Sequence, residues 1–352
     1  MNPSRSPQAS SSATERVPPF FVGIDLGGTS IKVGVVDDTG RVLAADSVPT
    51  EAAEGPEAGI RRMCEAARKV ATDGGLSWDE VAAIGVGSPG TMDIPAGMVL
   101  EPHNLTGWHN VPLRQRVAEE LRKLTILQND ANAAAYGEYW VGAGRDAQSM
   151  VLFTLGTGIG CGIIVDGMII EGRHSHGAEC GHLIIQMTGG RQCGCGRYGC
   201  LEAYASATAL IKRARETAEG VALWHTRGKR LQEAVEAGRE PTPLLLAELA
   251  AAGDELAEEL ILETARYLAI GAVNLMHTID PDLIVLGGAM TFGRDEEPLG
   301  RRFREEIEAE VHRRAFPVPA AKTRIVYATL GSDAGFIGAA GCGRLAQRGN
   351  KS

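Results

Sequence analysis

The sequence contains no run of about 18 apolar residues, so it predicts no transmembrane helix. Its first 19 residues also lack the apolar stretch that a secretory signal peptide needs. This segment is instead rich in Ser and Pro, and we expect residues 1–19 to form a disordered tail. Without a membrane span or a secretory signal, the expected location is cytoplasmic.

An excess of positive charge is missing as well. The chain has 35 Lys and Arg residues against 44 Asp and Glu residues, which gives a formal net charge of -9. This balance disfavours non-specific attraction to nucleic acids or anionic membranes, and we expect neither as a partner. A phosphate ligand remains compatible with an acidic protein, because backbone N–H groups bind anions locally.

Disulfide bonds are not expected either. The chain has seven Cys among 352 residues and no leader, a combination typical of a reducing compartment. The thiols are therefore expected to bind a metal or to pack in the core. Hydrophobic residues make up 44% and charged residues 22% of the chain, as in an ordinary globular protein with room for about two domains.

One strand and loop pattern occurs twice in the chain. Residues 20–48 read as an apolar strand, a glycine loop, a second strand, a turn and a third strand, and the same order begins again at Met150. We interpret this as an internal duplication that gives two related α/β lobes, each with a glycine loop facing a shared cleft. The predicted small lobe covers residues 20–137 and is joined by a C-terminal helix over 334–348, and the large lobe covers 138–333.

The glycine loops are the first candidates for chemistry. In Asp25-Leu26-Gly27-Gly28-Thr29 the glycines let the backbone wrap an anion, Thr29 can donate to a phosphate oxygen, and Asp25 can hold Mg²⁺. Lys32 follows in the next strand. The matching loop of the second unit is Thr154-Leu155-Gly156-Thr157-Gly158, and neither loop has the P-loop pattern. Each loop taken alone could be a tight turn without a ligand, and their pairing favours phosphate binding.

Two further features join the loops as candidates. Gly287-Gly288 follows a buried strand and fits a close backbone approach to a nucleoside, although glycines after a strand are often a simple turn. Asn129-Asp130 lies where a strand passes into a helix, a place where both residues are favoured as caps. A carboxylate there can also accept a proton from a hydroxyl nucleophile, since phosphoryl transfer needs mainly positioning and charge neutralisation. The two roles are compatible.

The most specific motif is His182 followed by Cys193, Cys195 and Cys200. Three Cys within eight residues, with glycines between them, can surround one tetrahedral ion, and a Cys₃His set is typical of structural zinc. The neighbouring Cys180 is expected to be a small buried residue rather than a ligand. Glu179 and Glu202 flank the motif and suit the hydroxyls of a sugar, or else they are solvated surface acids.

Taken together, these motifs resemble the ROK family, which contains repressors and sugar kinases. The resemblance rests on the segments already named and on Asn129-Asp130-Ala131-Asn132-Ala133, and it covers roughly residues 20–342. It implies an actin-like ATPase (ribonuclease H-like) fold with two lobes around a central cleft. It also implies ATP with Mg²⁺, structural Zn²⁺, a homodimer or homotetramer, and phosphorylation of glucose at its 6-hydroxyl, as in the bacterial glucokinases of the family.

The resemblance also assigns roles to residues. Asp130 matches the catalytic base of the family, and His182, Cys193, Cys195 and Cys200 match its zinc ligands. The phosphate loops correspond to Asp25–Thr29, with Lys32 nearby, and to Thr154–Gly158, and Gly287 and Gly288 complete the ATP site. The positions that match sugar contacts are Gly90, Asn104, Asn129, Asp130, Glu179, His182 and Glu202. One departure is Ala178, where the family often has Gly, and we expect its methyl group to restrict the backbone beside Glu179.

Three other functions fit parts of this sequence pattern. The first is a ROK kinase for another hexose, namely N-acetylglucosamine, N-acetylmannosamine, mannose or fructose. The second is a sugar-responsive transcription regulator, which needs an N-terminal helix-turn-helix that the residues before the first strand are too few to form. The third is a zinc-finger-like interaction module, which the surrounding α/β pattern disfavours.

Overall fold

Two five-stranded sheets with the same strand order form the frame of the molecule, as seen in a computed structural model that describes residues 16–102, 105–219 and 227–349. Residues 1–15 of the predicted tail lie outside the described residues. In the described part of the chain, no helix combines the length and apolar character needed for a membrane span.

The strands of the first sheet are β1 to β4 and β7, and β5 and β6 form a separate hairpin. Their bounds are β1 Phe20–Leu26, β2 Ser30–Val36, β3 Val42–Pro49, β4 Val81–Ser88, β5 Thr91–Asp93, β6 Met98–Glu101 and β7 Leu124–Asn129. The sheet order is β3-β2-β1-β4-β7, with β1, β2 and β3 antiparallel and β1, β4 and β7 parallel. The β5–β6 hairpin has no counterpart among the sequence predictions.

The second sheet repeats this arrangement. Its strands are β8 Ser149–Leu155, β9 Ile159–Val165, β10 Met168–Ile169, β11 Leu283–Gly288 and β12 Arg324–Tyr327, in the order β10-β9-β8-β11-β12. Strands β8, β9 and β10 are antiparallel, and β8, β11 and β12 are parallel. The two sheets therefore share both strand order and strand direction, as a duplicated unit requires.

Helices cover both faces of this frame. In the first half they are α1 Pro56–Asp73, α2 Leu113–Leu121 and α3 Asp130–Val141. In the second half they are α4 Glu202–Ala205, α5 Ala207–Glu219, α6 Lys229–Glu236, α7 Pro243–Ala251, α8 Glu255–Ile279, α9 Pro298–Arg314, α10 Pro317–Lys322 and α11 Ala334–Gly349. The apolar faces of α1 and α2 pack on the outer side of the first sheet, and those of α5, α8 and α9 on the outer side of the second.

Helices α3 and α11 lie side by side between the two sheets. Helix α11 packs on β1 and β4 of the first sheet, whereas α3 packs on β8 and β9 of the second. Glycines bring these elements close together, because a Cβ atom on Gly85 would overlap the Ala339 carbonyl, and one on Gly338 would overlap the Ala133 carbonyl. The C-terminal helix thus belongs to the packing of the first sheet, although it is last in the sequence.

Candidate active site

Asp130 is the first residue of α3, directly after β7 ends at Asn129. The Asn129 side chain caps the helix, because its Oδ1 accepts hydrogen bonds from the N–H groups of Ala131 (2.9 Å) and Asn132 (3.1 Å). The Asp130 Oδ1 also accepts from the Ala131 N–H group at 2.8 Å. The carboxylate is therefore held at the positive end of a helix, and its position is fixed by backbone geometry.

The electrostatic environment of Asp130 favours proton uptake. Burial raises the pKa of Asp130 to about 7, and the nearby carboxylates of Asp25 and Glu179 add to the shift, while the Ala131 N–H group opposes it. The pKa of Asp25 is likewise raised by burial, against the attraction of Lys32. A carboxylate that titrates near neutral pH is suited to accept a proton from a substrate hydroxyl.

The loop after β1 is pinned by hydrogen bonds within its own lobe. The Gly27 N–H group donates to the Ser30 carbonyl at 3.0 Å, and the Thr50 hydroxyl donates to the Gly27 carbonyl at 2.6 Å. Lys32 extends from β2 and donates from Nζ to the Ser332 carbonyl at 3.0 Å. This bond connects β2 to the turn before α11, and that turn borders the cavity containing Asp25.

The loop after β8 is tied to the helices that follow it. The Gly156 N–H group donates to the Gly158 carbonyl (3.0 Å), and the Thr208 hydroxyl donates to the Thr157 carbonyl (2.8 Å). Gly288, at the end of β11, has φ +88°, and a Cβ atom there would overlap the Leu155 backbone. Only glycine lets these two chain segments lie so close.

A cavity of about 760 Å³ unites residues predicted for sugar and for phosphate binding. The lining residues that the sequence predicts to bind sugar or ATP are Gly90, Asn129, Asp130, Thr154, Gly156, Thr157, Gly158, Glu179, His182, Glu202 and Gly288. A neighbouring cavity of about 220 Å³ contains Asp25 and Gly287 and shares Asp130, Thr154 and Gly288 with the first. Asp130 therefore lies at the junction of the two cavities.

Some predicted site residues lie elsewhere. Gly27, Gly28, Thr29 and Lys32 line neither cavity, although their loop directly follows Asp25. Asn104 lies outside the described residues.

Four predicted metal ligands converge on one point. The ligand atoms of His182, Cys193, Cys195 and Cys200 all lie within 4.8 Å of one another. The Cys193 Sγ atom is 3.7 Å from the His182 Nδ1 atom, and the Sγ atoms of Cys195 and Cys200 are 3.8 Å apart. A tetrahedron with metal–sulfur bonds of about 2.3 Å has edges of about 3.8 Å, so these spacings fit one tetrahedral ion.

Glu202 connects this cluster of candidate metal ligands to the loop after β8. Its Oε2 atom accepts the Ile159 N–H group at 2.9 Å, and its Oε1 atom lies 3.3 Å from the Cys193 Sγ atom. Glu179 is exposed and lines the same cavity as His182 and Glu202. Two carboxylates and an imidazole thus share one cavity, where several hydroxyl groups of one ligand can reach them.

Sequence reasoning missed several residues of these cavities. His176 and Arg197 line the larger one, and Gly331, Ser332 and Gly335 line the smaller one. The requirement for glycine at position 335 is visible only in the structure, where a Cβ atom would overlap the Asp25 carboxylate. His176 and Arg197 lack a spacing that would have identified them.

Residues 21–344 match the sequence pattern that defines the ROK family. The chain belongs to the ROK family. A glucokinase of Halalkalibacterium halodurans is 35% identical to it over 321 residues, which are 91% of this chain and 93% of that protein. A glucokinase of Thermotoga maritima is 35% identical over 320 residues, 91% of this chain and 96% of that protein.

The crystal structure of a ROK hexokinase from Thermus thermophilus has a TM-score of 0.77 to this chain at 33% identity, and the match covers 94% of this chain and 99% of that one. The predicted fold class, an actin-like ATPase fold in which two α/β lobes enclose a cleft, is confirmed by the family and by this likeness.

Proposed function

We propose that this ROK protein transfers the terminal phosphoryl group of ATP to the 6-hydroxyl of glucose. Its glucokinase relatives, 35% identical over nine-tenths of the chain, support this activity. A ROK glucokinase from Streptomyces griseus, whose crystal structure holds glucose and AMPPNP, also supports it. That structure is 32% identical to this chain with a TM-score of 0.72, and the match covers 93% of this chain and 99% of that one. The observation that carries the proposal is the position of Asp130 at the junction of the two cavities. There it lines one cavity together with Glu179, Glu202 and the glycine loop after β8.

Asp130 is the proposed base. It accepts the proton of the 6-hydroxyl as the oxygen attacks phosphorus, and its raised pKa matches this task near neutral pH. The proposed ATP contacts are the residues that line the two cavities, namely Asp25, Thr154, Gly156, Thr157, Gly158, Gly287 and Gly288. Gly27, Gly28, Thr29 and Lys32 line neither cavity and are proposed to support this site from the loop after β1 and from β2. Asp25 offers the oxygen ligand that Mg²⁺ prefers, and the ion, when bound with ATP, neutralises charge on the phosphates.

The sugar is proposed to lie in the larger cavity, against the wall that carries Glu179, His182 and Glu202. Asn129, Glu179, His182 and Glu202, with Gly90 and Asn104, supply the acceptors and donors for its hydroxyls. The set His182, Cys193, Cys195 and Cys200 would hold Zn²⁺, because a closed Cys₃His set is typical of structural zinc. Zinc would supply rigidity there, since it would tie His182 to the segment from Cys193 to Cys200, which leads to Glu202 at the start of α4. A homodimer or homotetramer in the cytoplasm completes the proposal and rests on the family resemblance.

A sugar panel tests the proposed substrate. Phosphorylation with ATP is measured in parallel for glucose, N-acetylglucosamine, N-acetylmannosamine, mannose and fructose, and we expect the highest kcat/KM for glucose. A higher value for any other sugar assigns the enzyme to that substrate, and the absence of turnover with all five rejects a hexose kinase.

The variant Asp130→Asn tests the proposed base. It keeps the shape of the site but has no carboxylate, so we expect kcat to fall by about 10²- to 10⁴-fold. Glucose binding, measured by calorimetry, is expected to stay within a few-fold of the wild type. Turnover close to that of the wild type would exclude Asp130 as the base.

A further inference from the structure

One loop of the second lobe reaches across to the first lobe. We name residues 171–177 the crossing loop; it follows β10 and leads directly into Ala178 and Glu179. Its neck is closed by the Gly177 N–H group, which donates to the Glu171 carbonyl at 2.7 Å. A Cβ atom on Gly172 would lie 2.9 Å from the Gly177 nitrogen, so the two sides of the neck are in contact. The closed neck therefore lies two residues before Glu179.

The first contact with the other lobe is made by Glu171. Its Oε1 atom accepts a hydrogen bond from the Nε2 atom of Gln128 at 2.6 Å. Gln128 lies in β7 of the first sheet and is 2% exposed, whereas Glu171 is partly exposed, so the donor side of this bond is shielded from water.

Gln128 is also bonded to the turn that carries the proposed base. Its Oε1 atom accepts the Asn129 N–H group at 2.8 Å and the Asn132 amide at 3.3 Å. Because the oxygen must face these donors, the amide nitrogen necessarily faces Glu171, and the orientation of the side chain is determined by both partners.

The crossing loop has a second anchor on the first lobe. The Ser175 hydroxyl oxygen accepts the N–H group of Ile94, which follows β5, at 3.0 Å. The crossing loop is thus attached to the first lobe at two points. Glu171 binds Gln128, close in sequence to Asp130, and Ser175 binds Ile94, directly after β5. Two anchors restrict both the position and the rotation of the loop.

We propose that Gln128 and Glu171 are positioning residues, which through their hydrogen bond between β7 and the crossing loop align the sugar contact Glu179 with the base Asp130. The proposal rests on the proposed function, because it assumes that a sugar lies between these two carboxylates. Neither residue touches the reacting atoms in this scheme. Gln128 holds the Asn129–Asp130 turn, and Glu171 holds the loop that ends at Glu179.

The variant Glu171→Ala tests this coupling by removing the acceptor. We expect the KM for glucose to rise by about tenfold and kcat to fall, because sugar and base lose their alignment. The KM for ATP is expected to stay within about twofold, since the crossing loop is separate from the glycine loops. The conservative variant Glu171→Gln is expected to restore near-normal constants, because its amide oxygen still accepts from Gln128.

The matched control is Glu306→Ala. Glu306 is a partly buried carboxylate on α9 that bonds to Arg266 at 2.8 Å, remote from both cavities. All kinetic constants of this variant are expected to match the wild type. The proposal is overturned if Glu171→Ala keeps the wild-type KM for glucose, or if Glu171→Gln is as impaired as Glu171→Ala.

Amide hydrogen exchange separates this proposal from the proposed function. In the ligand-free protein, the peptide that contains Asn129 is expected to exchange faster in Glu171→Ala than in the wild type or in Glu306→Ala. If the wild type phosphorylates no sugar, the proposed function fails, and this exchange difference still decides whether the two segments are coupled. Equal exchange in all three proteins rejects the coupling.

Discussion

At the scale of single residues, the burial of Asp130 has a measurable effect on activity. A base accepts a proton only when it is ionised, and the pKa of this carboxyl is raised to about 7. We therefore expect kcat/KM for glucose to fall about tenfold per pH unit below that pKa and to level off above it. A pH profile at saturating ATP measures this limb, and an inflection near the ordinary value of a carboxyl would contradict the prediction.

The same pKa makes a prediction about stability. Because the pKa of Asp130 in the folded protein exceeds its ordinary value of 3.8, the folded state favours the protonated form. The stability of the ligand-free wild type therefore falls as the pH rises between these two values. Asp130→Asn removes this loss, so its free energy of unfolding is expected to exceed that of the wild type by about 2–4 kcal/mol above neutral pH. Near pH 4 the two proteins are expected to be equal in urea unfolding.

Ala178 shows how a departure seen in the sequence acquires a physical meaning. Its φ is +62°, in the left-handed region where a side chain costs about 1 kcal/mol and glycine costs nothing. The Gly that the family often has at this position fits the same conformation. Ala178 therefore keeps the turn before Glu179 at the expense of some strain, which agrees with the expected restriction of the backbone.

At the scale of elements, the metal cluster of residues 182–200 is expected to act as one unit. Cys195→Ser removes one of four ligands, so the purified protein is expected to lose most of a metal content of about one ion per chain. The KM for glucose is expected to rise, because His182 and Glu202 lose their common support.

The control for the metal prediction is Cys64→Ser. Cys64 is a buried thiol in α1, outside the cluster, and the variant is expected to keep its metal. Elemental analysis of both purified variants measures the difference. A Cys195→Ser protein with full metal content would remove Cys195 from the ligand set.

The elements that the sequence predicted are those with a strong local pattern. The two strand and loop units were found because their order repeats, and the start of α3 because Asn129 and Asp130 are favoured caps. The β5–β6 hairpin was missed because strands of three and four residues are too short to show alternation. Helix α10 was missed because prolines at 317 and 319 obscure its six residues.

The residues of the candidate site also fall into two groups, those with a local sequence pattern and those brought together only by packing. The four candidate metal ligands stand at a spacing typical of one tetrahedral ion, and the strand and loop unit occurs twice, so the sequence predicts both groups. The structure brings the four candidate ligand atoms within 4.8 Å of one another and shows the repeated strand order. Gln128 and Glu171 are separated by 43 residues and follow no pattern, since only the packing of two lobes brings them together. Contacts of this kind depend on tertiary structure and carry no local signal.

At the scale of the whole molecule, the duplicated architecture explains why the site lies where it does. Each half has an antiparallel hairpin, β1–β2 or β8–β9. The loop of β8–β9 lines the larger cavity, whereas the β1–β2 hairpin contributes Asp25 to the smaller one. Asp130, the proposed base, stands directly after the carboxyl end of the parallel strand β7, where α3 begins. Helices α3 and α11 pack on each other and on one sheet each, so their contact determines how the two sheets are positioned relative to one another.

The packing of α3 against α11 depends on glycine, and Gly338 tests it. In Gly338→Ala the new methyl group would overlap the Ala133 carbonyl, a backbone atom that cannot rotate away. The helices must move apart, so we expect the free energy of unfolding in urea to fall by roughly 3 kcal/mol or more. Gly349→Ala is the matched control, because a Cβ atom at the end of the same helix meets nothing within 4 Å. Equal urea midpoints for the two variants would show that α3 and α11 tolerate separation, and that the cleft is not set by their contact.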